Sequence, residues 1–203
     1  MTNSELIFLG YRLIEPMPTR APKMPPIVRE ICSASQCVRG NPEGTVVSWD
    51  GFNDASLYST VANAMKVMPG PVPEGCSVFA YRLLPALFWK GVRSGSFNFN
   101  EVFGCEKSAF PEAPKGGFAS LGFDAVSIFL HTPATDQYAP RLAHLSHSPL
   151  SCNDLAGSYG VNQYCLFDGI DAAVAAAIRF SKEEPEPGPY VVVEVLRGVE
   201  DAT

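Results

Sequence analysis

The densest group of reactive side chains in this sequence lies between Leu142 and Asp154, where His144, His147 and Cys152 occur among three serines. A thiol within reach of an imidazole could act as a nucleophile beside its general base. The same residues could hold a metal ion, but the HxxH-x4-C spacing matches no zinc motif and we predict no bound metal. They could also bind a ligand through imidazole and hydroxyl donors. The plain alternative is a loop whose polar side chains satisfy its own backbone.

A second set of candidates consists of charged residues on apolar strands. Because side chains alternate across a strand, Arg12 is expected on one face with Phe8, and Arg82 on the apolar face of a later strand. Glu194 is flanked in the same way by Val192 and Leu196 in the last strand. A buried arginine needs an anionic partner, since an unpaired buried charge is very costly. That partner is Glu194 in a structural pair, or the phosphate or carboxylate of a ligand; alternatively, the arginine heads reach solvent at a sheet edge.

The order of these elements suggests one family. The chain has a Tyr-Arg strand, then a later strand, a helix with an alanine-rich face and an apolar strand that contains Glu194. This order resembles the layout of ADP-ribosyltransferase-like folds. The resemblance covers the C-terminal third of the chain and the Tyr-Arg dipeptide. It implies an NAD-binding role for Arg12 or Arg82 and a catalytic role for Glu194. The family's Ser-Thr-Ser element has no counterpart, since the nearest position reads Cys165–Asp168, and Val192 stands where an acidic or amide residue is usual.

Composition limits the classes of partner. The chain has 203 residues and a net charge of −6, and its 15 Lys and Arg residues are scattered, which argues against nucleic acid as a partner. An acidic balance fits a basic partner or simple solubility. The sequence has no apolar run of about 18 residues, and its first residues lack the basic start of a secretory signal. We therefore expect a cytoplasmic protein that does not bind membranes, with its six cysteines reduced.

The periodicity predicts one α+β domain over residues 1–203, with a mixed or antiparallel sheet of five to seven strands, two main helices and long loops. Predicted strands are Leu6–Ile14, Thr45–Trp49, Val78–Leu84, Phe123–Leu130, Val161–Phe167 and Tyr190–Leu196. Predicted helices are Asp54–Met68 and Gly169–Lys182, the second with Ile170, Val174, Ala177 and Ile178 on its apolar face. The last two strands and the helix between them would form a β-α-β unit. Residues 91–118, with Phe97, Phe99 and Phe103, are predicted to form a long surface loop.

Two function classes follow. The first is a non-catalytic binding protein that needs no cofactor and engages a protein partner or a small anionic ligand. The second is an enzyme, either an NAD-dependent ADP-ribosyltransferase or one that uses Cys/His chemistry. The sequence favours the first class, because it contains no complete catalytic motif. It does not indicate an oligomeric state. The candidate ligand-binding residues are Arg12, Arg82, His144, His147, Cys152 and Glu194.

Overall fold

Apolar runs with strand periodicity pair into an antiparallel sheet. The computed structural model describes residues 6–18, 24–35, 57–66, 68, 70–87, 114, 116–131, 142–183 and 189–199. Its strands are β1 (Ile7–Ile14), β2 (Met17–Pro18), β3 (Glu30–Ile31), β4 (Ser77–Leu83), β5 (Phe118–His131), β6 (Leu142–Leu145) and β7 (Tyr190–Gly198). The main sheet has the order β1-β4-β7-β5, and β6 extends it by pairing with the far end of β5, while β2 and β3 pair separately. The predicted antiparallel option is the one observed among these strands.

The most apolar strand of the sequence, β7, lies at the centre of the sheet. β7 lies between β4 and β5, and its residues from Tyr190 to Leu196 are buried on both faces. One face of the sheet, here called face A, carries Phe79, Tyr81 and Val193. The opposite face, face B, carries the side chains that alternate with these. Burial on both faces explains the continuous apolar run of β7.

One long helix covers part of face B. The helical elements of the described residues include α1 (Val61–Met65), α2 (Pro149–Cys152), a 3-10 helix (Leu155–Ser158) and α3 (Ile170–Glu183). The buried residues of α3 are Ala173, Ala176, Ala177 and Phe180. Of the four residues predicted for its apolar face, Ala177 is buried, whereas Ile178 is exposed, so the face that packs is rotated toward the alanines. Small side chains let the helix approach the sheet closely. Of the two predicted main helices, only α3, with 14 residues, is long in the described part of the chain.

The predicted helix Asp54–Met68 is much shorter than expected. Tyr58 pairs with Tyr11 of β1 through two backbone hydrogen bonds of 2.8 and 2.9 Å, which requires extended backbone. The helix therefore begins only at Val61, and Thr60 caps it by accepting from the Asn63 amide. Strand pairing at Tyr58 overrides the helical spacing of the apolar residues around it.

The predicted strand Val161–Phe167 is wrong, because a side chain bends the backbone into a turn. The Asn162 carboxamide oxygen accepts from the amides of Tyr164 and Leu166, and Cys165 has a φ of 60°. Only Phe167 pairs with the sheet, at a single bridge to Phe123. The predicted β-α-β unit is therefore absent. Cys165 is buried, as its apolar surroundings indicated.

Two other boundaries differ from the prediction. β5 begins at Phe118, inside the segment expected to be a loop, and β6 is a strand where the sequence predicted none. The predicted strand Thr45–Trp49 and the aromatic residues Phe97, Phe99 and Phe103 lie outside the described residues.

Candidate functional site

Arg82 and Glu194 form an ion pair across neighbouring strands. They are direct partners in the register of β4 and β7, and the Arg82 Nε donates to a Glu194 carboxylate oxygen at 2.7 Å. The Glu194 side chain is almost fully buried, whereas about a third of the Arg82 side chain is exposed. Of the three alternatives raised by the sequence, Arg82 forms the structural pair with Glu194. Each residue neutralises the charge of the other on face B.

Arg12 does not join this pair, because β1 contains a bulge. The register with β4 shifts between Phe8 and Gly10, and Gly10 has a φ of 139°, which glycine adopts without strain. Phe8 consequently pairs with Arg82, while Arg12 pairs with Phe79 on face A. The expectation that Phe8 and Arg12 share a face is therefore wrong. The two arginines therefore lie on opposite faces of the sheet.

Burial dominates the environment of Arg12. It lowers the pKa of the guanidinium from its ordinary value, although the neighbouring Tyr81 and Tyr58 hydroxyls oppose this effect. Tyr81 is itself fully buried, and burial raises the pKa of its hydroxyl. Within the described part of the chain this hydroxyl has no hydrogen-bond partner.

A buried carboxylate that sequence reasoning missed lies at the centre of face A. The Asp124 side chain is completely inaccessible and accepts hydrogen bonds from the hydroxyls of Ser33 and Ser148, each at 2.7 Å, and from the Ala34 amide at 2.9 Å. Burial raises the pKa of Asp124, and these bonds, with one from the Ala125 amide, act in the opposite direction. Asp124 thus joins β5 to two segments distant in sequence. Its sequence context, Phe-Asp-Ala, gave no signal for this role.

A second charged contact secures the segment before Ser33. The Arg197 guanidinium donates to Glu30 at 2.9 Å and to the Cys32 sulfur at 3.1 Å, and it lies over the Phe79 ring at 5.0 Å. Burial raises the pKa of Cys32 to about 12, although Arg197 lowers it. The thiol is therefore held in its neutral form. The contact is structural, and its residues lie too far apart in sequence to be paired by inspection.

In the segment Leu142–Asp154, the part from Leu145 to Ser151 is largely buried. His147 is 7% exposed, and its backbone amide donates to the Ser127 hydroxyl at 3.2 Å. Among the described residues the Nε2 atom of His147 has no hydrogen-bond partner. Two of the serines act internally, since Ser148 donates to Asp124 and the Ser151 hydroxyl lies 3.5 Å from the Ser148 carbonyl.

The described contacts of Cys152 and His144 include no catalytic arrangement. The Cys152 sulfur lies 3.5 Å from the Ser35 hydroxyl, which also donates to the Ser146 carbonyl. His144 pairs through its backbone with Phe129 on β5, and its side chain lies outside the described part. In the described ranges no three side chains are grouped as metal ligands. The Cys/His hypothesis stays a prediction.

An apolar groove on face B is a concave feature of the described surface. It encloses about 570 Å³ and lies between β1, α1 and the outer ends of β4, β5 and β7. Its apolar lining includes Leu13, Val61, Met65, Val78, Phe118 and Val199. Volumes of this size are typical of ligand-binding pockets. We refer to this feature as the apolar groove.

The shortness of α1 keeps the apolar groove open. Its five residues bury only Ala64, so Val61 and Met65 remain 38% and 37% exposed at the groove. Val199, at the end of β7, is 45% exposed on the other side. Large apolar side chains that cluster around a concavity are typical of interaction sites. Their sequence spacing could not reveal the groove, because its walls come from five separate segments.

The groove also contains a thiol and carries acidic residues at its edge. Cys76 lines it, and burial raises the pKa of this thiol, with a further contribution from the nearby Glu15 carboxylate. Glu15 and Glu74 are exposed, and each lies two residues from a lining residue. Among the described residues Lys66 is a neighbouring cation, and its Nζ donates to the Asn63 side chain at 3.2 Å. The described groove therefore combines an apolar floor with a slightly acidic edge.

Comparisons with family models, curated proteins and solved structures produced no match for this chain. Among the described residues, no helix is both long enough and apolar enough to cross a membrane.

Proposed function

We propose that this chain is a non-catalytic binding protein that engages a protein partner through the apolar groove. The observation that carries this proposal is the exposure of Val61, Met65 and Val199 around one concavity of about 570 Å³. Burying such side chains against a partner would contribute roughly 25 cal/mol for each Å² of apolar surface removed from water. The cytoplasm is the location we propose, on the sequence grounds given above.

The charges on the sheet favour a protein partner over a small anionic ligand. Glu194 already satisfies Arg82, and Arg12 lies on the opposite face from both the pair and the groove. An anion that bound Arg82 would have to displace a buried carboxylate. That carboxylate would then be left unpaired, which is costly.

The same pair bears on the NAD-dependent alternative. A catalytic glutamate has to contact the substrate, but Glu194 is 5% exposed and holds Arg82. The residues that the family resemblance assigns to cofactor and catalysis would have to separate before either could act. The geometry therefore supports binding better than ADP-ribosyl transfer.

Site-specific photocrosslinking tests the proposed function. A p-benzoylphenylalanine in place of Met65 should give a discrete protein adduct in an extract of the source cells. The same probe in place of Ile178, an equally exposed apolar residue on α3, serves as the matched control. The adduct should disappear when Val61→Glu is added to the Met65 probe. Equal adducts from both probe positions, or none from Met65, would refute a groove-dependent protein partner.

A further inference from the structure

We propose that the apolar groove binds a short segment of a partner protein in which apolar side chains are flanked by lysine or arginine. This inference rests on the proposed function and specifies the class of partner. The floor of the groove is apolar, whereas its edge is slightly acidic, and the inference follows from this difference.

The floor selects apolar side chains. Leu13, Val78 and Phe118 close one side of the groove, and Val61 and Met65 project from α1 on the other. Methionine adapts its shape to different apolar ligands, since it is unbranched and polarizable. The groove is thus suited to one or two large aliphatic or aromatic side chains.

The edge selects positive charge. Ile14 pairs with Ser77 in the register of β1 and β4, which places Glu15 beside the groove residue Cys76, and the Glu15 carboxylate contributes to the raised pKa of this thiol. Glu74 is exposed in the segment that joins Val72 to Cys76, both of which line the groove. Among the described residues Lys66 is the opposing charge, and two carboxylates against one ammonium group leave the described edge with a net negative charge. The whole chain, at −6, adds a long-range preference for a basic partner.

The expected strength of this preference is modest. Exposed ion pairs contribute little individually, so loss of one edge carboxylate should weaken binding of a basic segment about two- to five-fold. The effect should also fall as salt rises, because exposed charges are screened. The apolar side chains should supply most of the affinity, and the charges most of the selectivity.

Peptide display tests both levels of the inference. A random dodecapeptide phage library is selected on the full-length protein and depleted on the Val61→Glu/Met65→Glu variant; Ile178→Glu serves as the control surface. Both variants, Val61→Glu/Met65→Glu and Ile178→Glu, must keep the circular dichroism spectrum of the parent, and their melting temperatures must lie within a few degrees of the parent value. Groove-dependent peptides with an apolar core and enriched Lys or Arg are expected. Apolar peptides without basic enrichment would overturn this inference and leave the proposed function intact. If no peptide depends on the groove, both are wrong.

Charge substitution and mass measurement complete the test. For a selected peptide, Glu74→Gln should raise Kd about two- to five-fold, whereas Asp171→Asn, an exposed acid on α3, should leave it unchanged. Equal Kd values for the parent and Glu74→Gln would contradict the role of the edge. Sedimentation of the free protein should give the same mass with and without Met65→Glu. A dimer that this variant dissociates would assign the groove to a second copy of the chain and overturn the inference.

Discussion

Asp124 holds together more separate segments than any other charged side chain whose contacts are described above. Its carboxylate bonds to Ser33, Ala34 and Ser148, which bring two distant segments onto β5. Asp124→Ala would leave these buried donors without acceptors, each at a cost of about 1–3 kcal/mol. We expect a loss of at least about 3 kcal/mol in the free energy of unfolding by urea. Asp171→Asn should change it by less than about 0.5 kcal/mol. An Asp124→Ala variant as stable as the parent would show that these bonds are not needed.

The raised pKa of Asp124 makes a separate prediction about pH. Because the folded state holds this pKa above its value of about 3.9 in the unfolded chain, its contribution to stability is fully present below pH 3.9. The contribution is lost as pH rises through the folded pKa. The free energy of unfolding of the parent, minus that of Asp124→Asn, should therefore decrease as pH is raised from about 3.5. Urea titrations across pH 3.5–7 measure this difference, and an increase with pH would contradict the sign.

Arg82 and Glu194 make a prediction of coupling. Arg82→Ala should cost about 2–3 kcal/mol, because it leaves the buried Glu194 carboxylate unpaired; the partial exposure of Arg82 keeps the value near the lower end for buried pairs. Adding Glu194→Gln should recover part of that loss, because the remaining side chain is neutral. A double-mutant cycle by denaturant unfolding measures the coupling. Strictly additive effects of the two substitutions would rule out a structural ion pair.

The sequence could predict this pair but not the Asp124 cluster. Arg82 and Glu194 each interrupt an apolar face of a well-defined strand, and a charge in that position calls for a partner. Asp124 is also on a strand, but its partners Ser33 and Ser148 come from irregular segments whose positions depend on the whole fold. Periodicity carries no information about such contacts.

At the scale of elements, the contact between β5 and the turn at Asn162 depends on one glycine. Gly122 has a φ of 135°, and a Cβ there would lie 2.6 Å from the Phe167 carbonyl oxygen. Gly122→Ala should therefore cost more than about 2 kcal/mol, from backbone strain and from the clash together. Gly160→Ala, with no atom near its Cβ, should stay within about 0.5 kcal/mol. Thermal unfolding of both variants measures the contrast, and similar melting temperatures would argue against this geometry.

Elements with strong internal periodicity were predictable, and those shaped by tertiary contacts were not. β1, β4, β7 and α3 lie within one or two residues of the predicted bounds, because their apolar patterns are continuous. The predicted helix starting at Asp54 failed where Tyr58 pairs with β1. The predicted strand Val161–Phe167 failed where the Asn162 side chain captures backbone amides. In both cases a specific hydrogen bond outweighs the hydrophobic pattern.

For the whole molecule, the sheet separates two kinds of environment. Face A contains the buried Asp124 cluster, whose polar groups are largely satisfied by the protein itself. Face B contains the Arg82–Glu194 pair, the alanine face of α3 and the apolar groove. Composition gives a net charge of −6, whereas the groove arises only from the arrangement of five segments. The proposed partner-binding groove therefore lies on the same face as the Arg82–Glu194 pair, and opposite the Asp124 cluster.

The central claim is that the apolar groove is the binding site, and Cys76 reports on it directly. The Cys76 thiol lines the groove. Cys152 is also partly buried, but it lies beside Ser35 and does not line the groove, so it serves as an internal control. The rate of maleimide alkylation is measured at both cysteines by mass spectrometry at pH 8.5, with and without a saturating amount of a selected peptide. Occupation of the groove should slow alkylation of Cys76 at least about ten-fold, since solvent access is lost, and leave the rate at Cys152 unchanged. An unchanged rate at Cys76 when the peptide is fully bound would place the binding site elsewhere on the protein.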